Sequence, residues 1–142
     1  MSSPGDFNSG IIEEFRSNEG RVGGPFEGAS MVLVHHRGRK TGQERVNPLV
    51  YLPDGNDPDT IYVFATKSGA PEHPDWYWNL TTAGAAHVER GTDEYDVTVA
   101  EVKGEERDRL YAQQVERRPS FADYEAKTAG IRTIPVLRLR RV

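Results

Sequence analysis

The stretch MVLVHHRGRKTGQERVNPLVYL, Met31 to Leu52, decides the fold. Met31-Val32-Leu33-Val34 is a continuous apolar run, which predicts a short buried strand. Arg45 to Leu52 reads as its partner, joined through a basic turn at Thr41-Gly42. Pro48 cannot donate to a ladder, so the second strand is expected to kink, bulge or run at an edge there. The segment His35 to Arg45 holds Arg37, Arg39, Lys40 and Arg45 against Glu44 alone, +3 in a chain of net charge −4. Like charges crowded into a tight turn repel, so stability does not explain them. Arg and Lys with turn backbone N–H groups suit a phosphate or carboxylate. Gly38 and Gly42 allow close approach. The alternative is a solvated hairpin tip.

Outward from this hairpin the pattern stays mixed. Residues 1–6 read as a disordered, frayed end, and residues 7–142 as one domain. Phe7 to Arg16 is expected to be a helix with Ile11, Ile12 and Phe15 on its inner face. Gly20 to Gly28 is a loop. Ile61 to Thr66 is the next strand, followed by a helix starting around Pro74-Asp75. Ala86–Arg90 and Tyr95–Val102 form a hairpin by alternation. Glu105 to Arg118 is helical, with acidic residues opening it and basic ones closing it. Ser120 and Asp123 have capping-box spacing ahead of a short helix carrying Tyr124. Thr133 to Arg140 is the last strand. Five or six strands with a few helices predict an α+β fold around an antiparallel sheet or small barrel.

Composition excludes several function classes. With 142 residues, 36% hydrophobic and 28% charged, the chain is that of a soluble globular domain. No apolar run approaches the roughly 20 residues of a membrane span. The start Met1-Ser2-Ser3-Pro4-Gly5-Asp6 resembles no secretory signal, and there are no cysteines, so a cytoplasmic location is expected. The acidic balance argues against a nucleic-acid partner. His35 and His36 would point to opposite faces of a strand, and no His spacing suits a metal. No Gly-x-Gly-x-x-Gly, Walker or Gly-x-Ser-x-Gly pattern occurs.

Two further features carry chemistry. Thr66-Lys67-Ser68-Gly69 follows a strand and offers a second cation and two hydroxyls. Lys67 shares a side with Arg39 and Lys40 if the strand of Ile61 pairs beside that of Arg45. Trp76-Tyr77-Trp78 cannot share one helical face, so at least one ring is expected in the core and another at a pocket or partner.

Taken together, Gly38-Arg39-Lys40-Thr41-Gly42, Arg45-Val46-Asn47-Pro48-Leu49, Ala65-Thr66-Lys67-Ser68-Gly69-Ala70 and His73-Pro74-Asp75-Trp76-Tyr77-Trp78-Asn79-Leu80 resemble the deazaflavin-dependent nitroreductase family. Val22-Gly23-Gly24-Pro25-Phe26 and Arg132-Thr133-Ile134-Pro135-Val136 are similar as well, so the match spans roughly residues 7 to 140. The resemblance implies a split β-barrel of the flavin-reductase, FMN-binding type, mostly antiparallel with short peripheral helices. It implies coenzyme F420, with FMN as the alternative, and hydride transfer to a quinone, nitroaromatic or enone. By the family pattern Arg39, Lys40, Arg45 and Lys67 hold the phosphate and tail, and Thr41, Gly42 and Ser68 belong to the cofactor site with them. Asn47, Pro48, Ala65, Thr66, Trp76, Tyr77 and Asn79 line the ring. Tyr124 and Thr66 are the candidate proton donors. Arg118 and Phe121 stand where nitroreductase-type members have tyrosines, which removes two hydroxyls from the acceptor region and adds a charge. A small-molecule acceptor is implied; a homodimer and peripheral membrane contact stay open, as does a non-catalytic deazaflavin-binding module on the same barrel.

Overall fold

The computed structural model describes residues 4–26 and 28–142. Six antiparallel strands close into a barrel: β1 (Met31–Arg37), β2 (Glu44–Pro53), β3 (Thr60–Phe64), β4 (Ala85–Arg90), β5 (Asp93–Val102) and β6 (Val136–Arg141), in the order β1-β2-β3-β6-β5-β4. Four helices surround it: α1 (Pro4–Ser17), α2 (Asp75–Ala83), α3 (Gly104–Arg117) and α4 (Ser120–Thr128). No described helix is long and apolar enough to cross a membrane.

The continuous apolar run of β1 has a plain cause, since both of its faces are covered. Val32 and Val34 point into the barrel with Ile61, Val63, Val88, Val97, Leu137 and Leu139. Met31 and Leu33 point outward, where α1 lays Ile11 and Phe15 over them. The apolar stripe of α1 is therefore spent on the barrel. On the far side α3 and α4 cover Leu52, Tyr62, Phe64 and Val136 with Leu110, Tyr111 and Phe121. Helix α2 closes one end by pushing Trp76, Tyr77 and Leu80 into the interior cluster.

Pro48 opposes Leu33 of β1, while β2 meets β3 only from Tyr51 to Pro53. The proline thus sits where β2 has no ladder on its β3 side, and its missing N–H breaks nothing there. Since β1 and β3 both run opposite to β2, their C-terminal ends leave the barrel at the same end. That register brings the basic turn and the segment after β3 to one mouth.

Several boundaries differ from expectation. Helix α1 starts at Pro4, so only residues 1–3 of the expected frayed end lie outside the described residues, as does Glu27 of the Gly-rich loop. Strand β3 ends at Phe64, leaving Thr66 in the following turn. Strand β6 starts at Val136 rather than Thr133. The capping box at Ser120 does not form, because Ser120 is already helical, Pro119 holds the cap position and no side chain caps the end.

Candidate active site

The basic turn is built from its own short bonds. Gly42 N–H donates to Gly38 O at 2.7 Å, and Gly38 N–H donates to Gln43 O at 2.9 Å. Gly42 adopts φ 70°, a left-handed conformation that costs glycine little. A Cβ at Gly38 would lie 2.7 Å from Thr41 Oγ1, so the turn tolerates no side chain there without a shift.

One buried amide fastens this turn to the barrel. Asn79 of α2 is 3% exposed. Its Oδ1 accepts from Arg39 N–H at 3.0 Å and from Arg39 Nη1 at 3.1 Å. Its Nδ2 then faces His36 Nδ1 at 3.1 Å, and His36 Nε2 meets Asn47 Oδ1 at 2.7 Å. Burial pushes the His36 imidazole below its ordinary pKa, and the charges of Arg45 and His35 push the same way against the Asn47 bond. Gly38, Arg39, Lys40, Thr41, Arg45, Asp75 and Asn79 line a depression of roughly 200 Å³. Among the described residues, the side chains of Lys40 and Arg45 make no hydrogen bond or ion pair. Their donors are available to an anion, which is the chemistry a phosphodiester or carboxylate tail requires.

The segment after β3 is organised differently. Lys67 and Ser68 have φ of 46° and 54°, rare for residues with a Cβ, and Gly69 follows at 85°. Arg132 holds this strained turn. It donates Nη2 to Thr66 O at 2.8 Å, Nη1 to Ala65 O at 3.0 Å and Nε to Ala70 O at 3.0 Å, and Nη1 also lies 2.9 Å from His73 Nδ1. Lys67 Nζ pairs with Glu72 at 2.8 Å. Helix α4 packs so closely that a Cβ on Gly69 would meet Lys127 Cδ at 2.8 Å and come within 3.4 Å of Tyr124 Cα. Thr66 and Tyr124 are therefore borne on elements in contact.

The structure gathers Arg39, Lys40, Thr41, Arg45 and Asn79 around one depression, with Gly42 in the same turn and Asn47 joined through His36. Pro48, Ala65, Thr66, Lys67, Ser68, Trp76 and Tyr77 do not line it. Ala65 is fully buried. Trp76 and Tyr77 are each 8% exposed; Tyr77 O–H donates to Glu101 Oε1 at 2.6 Å, and burial with that carboxylate pushes its pKa up to about 12. The ring left open is Trp78, 43% exposed and edged by His73 at 5.4 Å and Tyr77 at 4.8 Å. That one of these three rings stays open agrees with the sequence reading, which missed the roles of His36 and Arg132. The partners of both are remote in the chain, so no local signal marks them.

A larger hollow of about 540 Å³ opens beside His35 and His87. Its three imidazoles are already engaged, His35 with Glu44 and Glu89, His36 with Asn47 and Asn79, and His87 with Glu94 and Asp96. It offers no comparable set of uncommitted cations.

These observations meet three comparisons. An F420H(2)-dependent quinone reductase of Mycobacterium tuberculosis is 31% identical over 131 residues, covering 89% of this chain and 85% of that one. The solved F420-H2 dependent reductase FDR-A is 33% identical with a TM-score of 0.68, over 78% of this chain and 94% of its own. A domain-swapped dimer is 30% identical with a TM-score of 0.70, over 97% of this chain and all of the other. The model of one family matches residues 11–140, from the helix over β1 to the last strand, and the chain accordingly belongs to the F420H(2)-dependent quinone reductase family.

Proposed function

We propose that this protein is a reductase that takes a hydride from reduced coenzyme F420 and delivers it to a quinone. The observation that supports it best is the pair of uncommitted cations, Lys40 and Arg45, on a backbone that Asn79 holds in place. When bound, the reduced deazaflavin supplies the hydride, and the protein's part is to bind, orient and keep water away. Lys40, Arg45 and the free nitrogens of Arg39 grip the phosphate, and Thr41 and Gly42 shape the turn around it. Lys67 and Ser68, at the same barrel mouth, serve the acidic tail; Lys67 exchanges Glu72 for it. Asn47, Pro48 and Thr66 border the flat ring, and the buried Ala65, Trp76, Tyr77 and Asn79 back them. Tyr124 and Thr66 are the candidate proton donors once the acceptor is reduced.

A quinone is favoured over a nitroaromatic or enone. The family model and the mycobacterial relative are both named for quinone reduction, and Phe121 supplies no hydroxyl where nitroreductase-type members have one. The reading carries a small-molecule acceptor, no nucleic acid and a cytoplasmic location. With Ile11 and Phe15 buried, peripheral membrane contact cannot use the inner stripe of α1. A homodimer is part of the proposal, supported by the dimeric structural relative.

Titrating purified protein with F420 against FMN, then supplying reduced F420 and menadione, tests this reading. F420 binding with menadione-dependent oxidation supports it. Binding without turnover over a panel of acceptors favours a non-catalytic deazaflavin-binding module. A yellow, FMN-loaded protein on purification favours an FMN reductase of the same fold.

A further inference from the structure

We infer that His36 is the positioning residue of the cofactor site: its two ring nitrogens set the amides of Asn79 and Asn47 and, through Asn79, the anion-binding turn. This rests on the reading of that turn as the grip for F420. Asn79 Oδ1 is occupied by the backbone N–H and guanidinium of Arg39. Its NH₂ group must therefore face His36, and Nδ1 must present a lone pair. The ring proton then sits on Nε2, where Asn47 Oδ1 accepts it. Donors run one way, from Asn79 to His36 to Asn47, and a single neutral tautomer satisfies all of them.

A second proton on His36 breaks this order. It sets N–H against the Asn79 NH₂. Turning the Asn79 amide over relieves that contact but points NH₂ at the Arg39 N–H and guanidinium. Either way the turn loses its fastening to α2. The groups facing His36 are Asn47 and the cation Arg45 from β2, Asn79 from α2 and His35 on its own strand, with Arg39 behind Asn79 and Arg37 beside the same hollow. Asp75 lines the depression on the α2 side. Glu44, Asp96 and His87 share the hollow beside β1, where the carboxylates bond His35 and His87 rather than His36. The nearby positive charge and the burial keep the ring neutral near neutrality, and acid unfastens the turn.

Two readouts test this. In ¹⁵N-labelled full-length protein without cofactor, His36 should show the Nε2–H tautomer at neutral pH. The Arg39 amide should shift with the His36 titration as pH falls from 8 to 5. In parallel, F420 affinity is read by fluorescence over the same range for wild type, His36→Asn and His36→Gln. The asparagine keeps an acceptor for Asn79, while the glutamine keeps a donor for Asn47. His36→Gln should lose about tenfold in affinity at neutral pH, as one lost buried hydrogen bond implies, and His36→Asn should recover most of it. Neither variant titrates at this position, so wild type should weaken in acid more than either, with any titration of the cofactor itself subtracted. If His36→Asn does not fold, the wild-type amide shift and tautomer decide. An Nδ1–H tautomer, an Arg39 amide indifferent to His36, or wild-type affinity that rises in acid overturns the inference. Absence of F420 binding at every pH, with the Arg39 amide still tracking His36, sinks the cofactor reading and the assigned role with it while leaving the latch visible.

Discussion

Two loops at the same barrel mouth carry lysines and treat them in opposite ways. At the turn between β1 and β2, the side chains of Lys40 and, at the start of β2, Arg45 make no hydrogen bond or ion pair among the described residues, while Asn79 fixes the backbone beneath them. In the loop after β3, Lys67 is tied to Glu72 and Arg132 captures three backbone carbonyls. Both backbones are held from a distance, yet only one loop has charge to spare. The contrast separates cations that build from cations that bind, by what each already touches rather than by residue type. An exposed ion pair such as Lys67–Glu72 contributes only about 0–1 kcal/mol. A preorganised, uncommitted cation meeting a phosphate is worth more.

The comparison breaks first at the basic turn. Arg39→Ala with Lys40→Ala should weaken F420 binding by about 2–4 kcal/mol, roughly 30- to 1,000-fold by fluorescence titration. The melting temperature should stay within about 2 °C of wild type, because surface substitutions seldom cost more than about 0.5 kcal/mol. A collapse of the fold, or unchanged binding, would reverse the assignment of these cations. Arg132→Ala should do the opposite and cost about 2–3 kcal/mol of stability in denaturant titration, since three carbonyls lose a charged donor. If stability held while affinity fell, Arg132 would belong with the binding cations.

A third measurement sharpens the contrast with a cation that only builds. Glu89 accepts from Arg16 at 2.7 and 3.0 Å and lies 2.6 Å from His35. The Arg16 bond, aided by His35, pulls its pKa down to about 2 against the cost of burial. A depressed carboxylate stabilises above its unfolded pKa, and that stability drains as pH falls through the window towards 2. Glu89→Gln should remove about 1–2 kcal/mol at neutral pH, discounted for the half-exposed Arg16, and should flatten the acid limb of the stability curve. A wild-type acid limb retained in the variant refutes the assignment. The smallest effect belongs to Glu72→Gln. Freeing Lys67 should tighten F420 by about threefold or less and leave stability within roughly 0.5 kcal/mol.

Much of this was readable from the order of residues. The paired strands around the basic turn, the α2 helix after Pro74 and the β4–β5 hairpin depend on alternation and on Gly and Pro, which act within a few positions. The capping box failed because helix α4 begins one residue early, at Ser120 itself, with Pro119 in the cap position. Of the three aromatic neighbours, periodicity showed that they must diverge without showing that Trp78 is the exposed one.

Taken alone, the sequence determined the elements, the charge of the turn and the anion chemistry it suits, because backbone preference and local charge are properties of neighbouring residues. Tertiary structure alone decided which cations remain uncommitted and which residues hold the site in place. His36 meets Asn79 across 43 positions, and Arg132 meets Thr66 across 66. A hydrogen bond needs its partners within about 3 Å, and only closure of the barrel brings such distant residues that close.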